Sequence, residues 1–192
     1  MKDLKNYTTS NAEHGYLLQT SNGVVKGYHF QGEEGKADIN FNLAEKIDGI
    51  IHSHYTGLLS TFSVADVLSL AVLYKSNAMR DMSSFIAGVV TASGTNYYLM
   101  IDDEEKFKTF AENCTIGNEI NKSVQNFFEW LYLKNYKISE NTSPSSNEIN
   151  FTRFLQMLNT GLKVVKLDTT TDKLQVISLD ENNNIILDDC IN

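Results

Sequence analysis

Ile47-Asp48-Gly49-Ile50-Ile51-His52-Ser53-His54, followed by the loop Tyr55 to Phe62 and then Ser63-Val64-Ala65-Asp66, is the stretch on which the fold turns. The apolar run into His52 reads as a short buried strand. Side chains alternate faces along a strand, so His52 and His54 project to one side and Ser53 to the other. Two imidazoles on one face can both reach one small cation. Asp66, at the start of the next helix, adds a carboxylate. Two histidines and a carboxylate, with a fourth position left to water, form the ligand set of a catalytic zinc site, so Zn²⁺ is the expected cofactor. That chemistry points to a hydrolase.

A plainer reading uses the same residues. Ser63-Val64-Ala65-Asp66 is a capping box, with Ser63 as N-cap and an acid at the third helical position, and this alone explains both residues without a metal. The conjunction favours the metal: an apolar strand, His-x-His at its end, a loop containing Gly57, then Ser-x-x-Asp opening an amphipathic helix. His14 and His29 have no such company and read as ordinary strand or surface residues.

The pattern resembles the JAB/MPN/JAMM metallopeptidases, whose motif is an upstream Glu, then His-x-His, then Ser-x-x-Asp. The likeness runs from about Glu13 to Asp102. It implies that His52, His54 and Asp66 hold zinc, that Glu13 is the general base, and that Ser63 stabilises the oxyanion. It further implies a zinc-dependent hydrolase of peptide or isopeptide bonds acting on a protein or peptide substrate. The family's proline after the second histidine is Tyr55 here. The loop to Ser63 is one residue longer than usual, and only His14 separates Glu13 from Gly15 where the family has two residues. Glu33 and Glu34 are alternatives to Glu13 by type, in a Gly-flanked turn that reads as solvated. The chain is also similar to JAB-like domains at the C-termini of large bacterial secreted toxins, which implies an immunity protein as partner. The alternative is a non-catalytic MPN-type scaffold or protein-binding module.

Composition bounds the rest. Hydrophobic residues at 42% and charged residues at 21% are ordinary for a folded soluble chain. A net charge of −8 argues against nucleic acid, because phosphate binding needs a basic face. No apolar stretch approaches a membrane span and the N-terminus carries no signal peptide. The expected location is the bacterial cytoplasm, or outside the cell as part of a larger secreted protein. No P-loop, dinucleotide fingerprint, nucleophile elbow or deaminase motif occurs. Cys114 and Cys190 read as two free thiols in preference to one disulfide, since two cysteines are too few for a framework.

The expected fold is α/β (α+β): a JAB/MPN-like curved mixed sheet flanked by helices, with a C-terminal helical and β-strand extension. Residues 1–12 form a polar N-terminal segment, frayed or a linker. The metallopeptidase core spans 13–114, and 115–192 is a helix and strand extension packed on it. A hairpin is expected over Tyr16–Thr20 and Val24–Phe30 around Asn22-Gly23. An extended piece from Ala37 to Phe41 and a helical turn over Leu43–Ile47 follow. After the histidine strand come a helix from Ser63 to Tyr74, with Val64, Val67, Leu68, Ala71 and Tyr74 on one face, and a hairpin over Phe85–Thr91 and Tyr97–Ile101. Asp102 or Asp103 caps a helix carrying Phe107 and Phe110, and a further helix is expected over about Asn118–Leu133. Ser139–Asn147 reads as a linker. A helix holding Phe154, Leu155 and Leu158 and two or three strands close the chain.

Overall fold

The computed structural model describes residues 3–36 and 45–190. The expected segments Ala37–Phe41 and Leu43–Ala44 lie outside them. Strands β1 (His14–Ser21) and β2 (Val24–Gln31) form the first hairpin. Asn22 and Gly23 turn it with φ of 53° and 75°, as a two-residue primed turn requires. β3 (Gly49–His54) pairs antiparallel with β1 and parallel with β4 (Ile86–Thr91). Helix α1 (Val64–Lys75) lies in the crossover, since parallel neighbours need a long connection. β5 (Asn96–Ile101) returns antiparallel to β4. Asp103 caps α2 (Glu104–Cys114).

The remaining elements are β6 (Thr115–Ile116), β7 (Glu119–Ile120), α3 (Lys122–Trp130), α4 (Pro144–Met157), β8 (Leu162–Asp168), β9 (Lys173–Leu179) and β10 (Ile185–Asp189). A π-helical turn, Leu131–Asn135, prolongs α3. The result is a mixed α+β fold with one eight-stranded sheet ordered β10-β9-β8-β5-β4-β3-β1-β2 and flanking helices. The main core joins Ile50, Val89, Tyr97 and Val164 of the sheet to α1, α2, the π turn and α4. A smaller cluster of Leu4, Ile51 and Val90 fills the opposite face. No helix among the described residues is long and apolar enough to cross a membrane.

Four expectations need correction. The curved JAB/MPN-like sheet is replaced by an open, uncurved one whose ends, β2 and β10, never meet. Curvature needs bulges or kinks, and every ladder here keeps one register from end to end. The helix expected from Asn118 starts at Lys122: β6 and β7 pair as a tiny hairpin through Gly117, at φ 62°, and Asn121 takes the cap. The supposed linker Ser139–Asn147 contains a helix start, with Ser143 as N-cap and Pro144 in the first turn, where its missing N–H costs nothing. The described part of the polar N-terminal segment, from Asp3, is neither frayed nor a linker. Asp3–Tyr7 is a 3₁₀ turn whose Leu4 is fully buried against the sheet.

Candidate metal centre

The β1–β3 register sets Gly15 opposite His52. Continuing it brings His14 beside Ser53 and Glu13 beside His54, and the side chains then alternate across the sheet. On one face the Glu13 Oε1 lies 3.6 Å from His54 Nε2. On the other, the His14 backbone N–H donates to Ser53 Oγ at 3.1 Å. Glu13, His52 and His54 are all buried, and each offers a ligand atom within 4.8 Å of the others. This is a cluster able to chelate a metal ion.

Asp66 closes on the same histidines from the start of α1. Its Oδ1 lies 3.3 Å from His52 Nε2 and its Oδ2 3.5 Å from His54 Nε2, while the two Nε2 atoms are 3.2 Å apart. A tetrahedral site with ligand bonds of about 2.0–2.1 Å needs donor atoms about 3.3–3.4 Å apart. The spacing is compatible with metal coordination, with Asp66 offering a different oxygen to each histidine. His54 Nδ1 donates to the Leu59 carbonyl at 3.0 Å, which orients the ring with Nε2 facing the cluster.

The capping box and the carboxylate cluster coexist. Asp66 Oδ2 accepts from the Ser63 backbone N–H at 2.7 Å and from the Ser63 hydroxyl at 2.8 Å, and Ser63 Oγ accepts from the Asp66 N–H at 3.1 Å. One carboxylate oxygen thus serves the cap while the other faces His52. The side chain of Asp66 is 23% exposed, so the cluster opens to solvent on this side. Burial pushes its carboxyl up, but the His52 charge and hydrogen bonds from His52 and His54 outweigh burial and hold it well below the usual carboxylate range. Tyr132 lies near enough to sense that charge: burial, then Asp66, push its phenol well above its ordinary value.

Glu13, His52 and His54 thus form the cluster, Asp66 with its Ser63 cap lies beside the two histidines, and Glu33 and Glu34 are not part of it. Missed in the sequence was a second histidine pair behind the first. His14 Nδ1 and His29 Nε2 are 3.1 Å apart, with Tyr7 stacked on His14 at 4.0 Å. The Asn22-Gly23 turn carried the signal: it pairs Tyr16 with His29 and so sets His14 and His29 diagonally on one face. This pair supplies two ligand nitrogens and forms no three-residue group among the described residues.

No family model, no curated protein and no solved structure matches this chain. The likeness to the JAB/MPN/JAMM family therefore rests on the motif residues and their spacing alone.

Proposed function

We propose that this chain is a zinc-dependent hydrolase of peptide or isopeptide bonds. His52, His54 and Asp66 hold the metal, Glu13 is the general base, and Ser63 is the oxyanion donor. The supporting observation is the set of donor separations, 3.2, 3.3 and 3.5 Å, among two histidines and an aspartate. Zinc in such a site polarises a carbonyl and makes water acidic enough to lose a proton near neutral pH. The Glu13 carboxylate, 3.6 Å from His54 Nε2, would hold that proton as general base and pass it to the leaving amine. The Ser63 hydroxyl turns from Asp66 Oδ2 toward the developing oxyanion, where an oriented donor acts most strongly. Acting as a toxin module, the chain would take a protein or peptide substrate and an immunity protein as partner.

Metal content by mass spectrometry on the purified protein tests the site, with His52→Ala/His54→Ala alongside. One zinc per chain, lost in the double variant, is expected. No zinc in the wild type after zinc is supplied would remove the hydrolase reading and leave Ser63 and Asp66 as a helix cap. Glu13→Gln then separates base from ligand. It should keep its zinc and lose hydrolysis by at least about 10²-fold, the lower end for a general base. Loss of zinc in this variant would make Glu13 a ligand. Unchanged hydrolysis would remove it as the base. A zinc protein that cleaves no peptide and loses no biological effect with Glu13→Gln would be the scaffold instead.

A further inference from the structure

The loop Tyr55 to Phe62 joins the two histidines to the Ser63–Asp66 turn, so its shape sets where the carboxylate stands relative to the imidazoles. Three of its last four carbonyls are held by side chains from three separate places. His54 Nδ1 donates to Leu59 at 3.0 Å, Thr95 Oγ1 to Ser60 at 2.7 Å, and the Tyr132 hydroxyl to Phe62 at 2.6 Å. Asn147 adds a fourth tie, with Nδ2 donating to Ser60 Oγ at 2.9 Å. The same amide is fixed by Ser139, whose carbonyl accepts from Nδ2 at 2.9 Å and whose N–H donates to Oδ1 at 3.3 Å.

Tyr132 and Asn147 are buried, and both belong to the segment after Thr115, which carries no readable motif. Packing alone does not call for them. Buried hydroxyls and amides are costly unless partnered, and apolar side chains would fill the same volume. Tyr132 instead spends its hydroxyl, and Asn147 part of its amide, on the loop next to the metal cluster. Tyr132 also sits on the π turn, an irregularity that tends to occur beside functional sites. Its ring packs edge-on against Phe154 at 5.2 Å and Phe151 at 6.5 Å, and Phe62 stacks on Phe151 at 6.0 Å, so Phe151 touches both Tyr132 and the residue whose carbonyl Tyr132 holds.

We infer that Tyr132 and Asn147 are positioning residues for the metal cluster. They fix the backbone from Leu59 to Phe62 so that the Ser63 cap, and with it Asp66, stands at ligand distance from His52 and His54. The inference rests on the metal reading above. It makes the segment after Thr115 a working part of the site. Neither residue donates to the cluster itself; Tyr132 acts through the Phe62 carbonyl and Asn147 through the Ser60 hydroxyl, both in the loop that precedes Ser63.

The test measures zinc affinity by competition with a chromophoric chelator, and the visible spectrum of the Co²⁺-loaded protein. It compares wild type, Tyr132→Phe, Asn147→Ala and Ile177→Val, each with its stability in denaturant. Tyr132→Phe keeps the ring and deletes one donor, so it remains informative even where Asn147→Ala folds poorly. Ile177→Val trims the core in β9, away from the loop. Tyr132→Phe is expected to weaken zinc binding about tenfold, the low end for groups that orient ligands, and to alter the cobalt spectrum. Ile177→Val should leave both unchanged at a similar loss of stability. If wild type binds neither metal, the metal reading and this inference fall together. If wild type binds and Tyr132→Phe binds as tightly with the same spectrum, the inference alone falls. A loss in Ile177→Val equal to that in Tyr132→Phe would also overturn it, because affinity would then follow stability.

Discussion

At Gly15 an added Cβ would run into the Phe30 ring and come within 2.7 Å of the Ile51 carbonyl oxygen. The ring could move; the β3 backbone could not move without shifting His52, which Gly15 faces across the ladder. Gly15→Ala should therefore lower stability by about 1–3 kcal/mol, as overpacking does, and weaken metal binding as well. Denaturant unfolding and metal titration of the same variant check this, and a stable variant with intact affinity would refute it. The two cysteines, both free, separate by environment. Cys114 is buried and Cys190 exposed, and burial pushes the Cys114 thiol up to about 12. A group raised that far stays protonated through pH 8, and the thiolate is the reactive form. A chromogenic disulfide reagent at pH 8 should thus titrate one thiol in the native chain and both after unfolding. Two fast thiols in the native protein would contradict the burial of Cys114.

Helix α1 shows what a periodic pattern conveys and what it leaves out. Of Val64, Val67, Leu68, Ala71 and Tyr74, read in the sequence as one apolar face, the first four are buried and Tyr74 is half-buried. Leu70 and Leu73 are buried too, at 2% and 4% exposure. A single stripe implies one covering surface, whereas α1 belongs to a core shared with both the sheet and α2. Leu70→Ala is accordingly expected to cost about 2–5 kcal/mol in denaturant unfolding, the range for a buried leucine; a loss below about 0.5 kcal/mol would mark it as a surface position. The N-terminus of α1 was legible for a different reason. A capping box and a ligand carboxylate had looked like competing explanations of Ser63 and Asp66. A carboxylate has two oxygens, so one can accept from the Ser63 hydroxyl while the other faces His52. The start of α3 was misread because the turn through Gly117, which pairs β6 with β7, is too short to show a strand pattern.

Across the whole molecule, local signals located the hairpins, the histidine strand, the cluster residues and the Ser63–Asp66 cap, but they did not reveal how distant segments close on them. Face alternation tells which side a residue takes, not which strand lies beside it. The ladder of β5 with β8 and the bonds from Tyr132 to Phe62 and from Asn147 to Ser60 join parts of the chain that share no local pattern. Tyr97 makes the dependence concrete. Its buried hydroxyl donates to Glu148 on α4 at 2.6 Å, and Lys166 on β8 pairs with the same carboxylate at 2.6 Å. A chain cut after Cys114 would strip that partner from Tyr97, remove Phe151, Phe154, Leu155 and Val164 from the core, and bare the β5 edge. Unpaired edges and unpartnered buried polar groups favour association over folding. Residues 1–114 alone should therefore run as aggregate in size exclusion and show no cooperative unfolding transition, while the full chain shows one. If instead the fragment is monomeric, unfolds cooperatively and binds zinc as tightly as the full chain, then residues 13–114 are a self-sufficient core. The segment after Thr115 would in that case be an appendage, and the metal cluster would not need Tyr132 or Asn147.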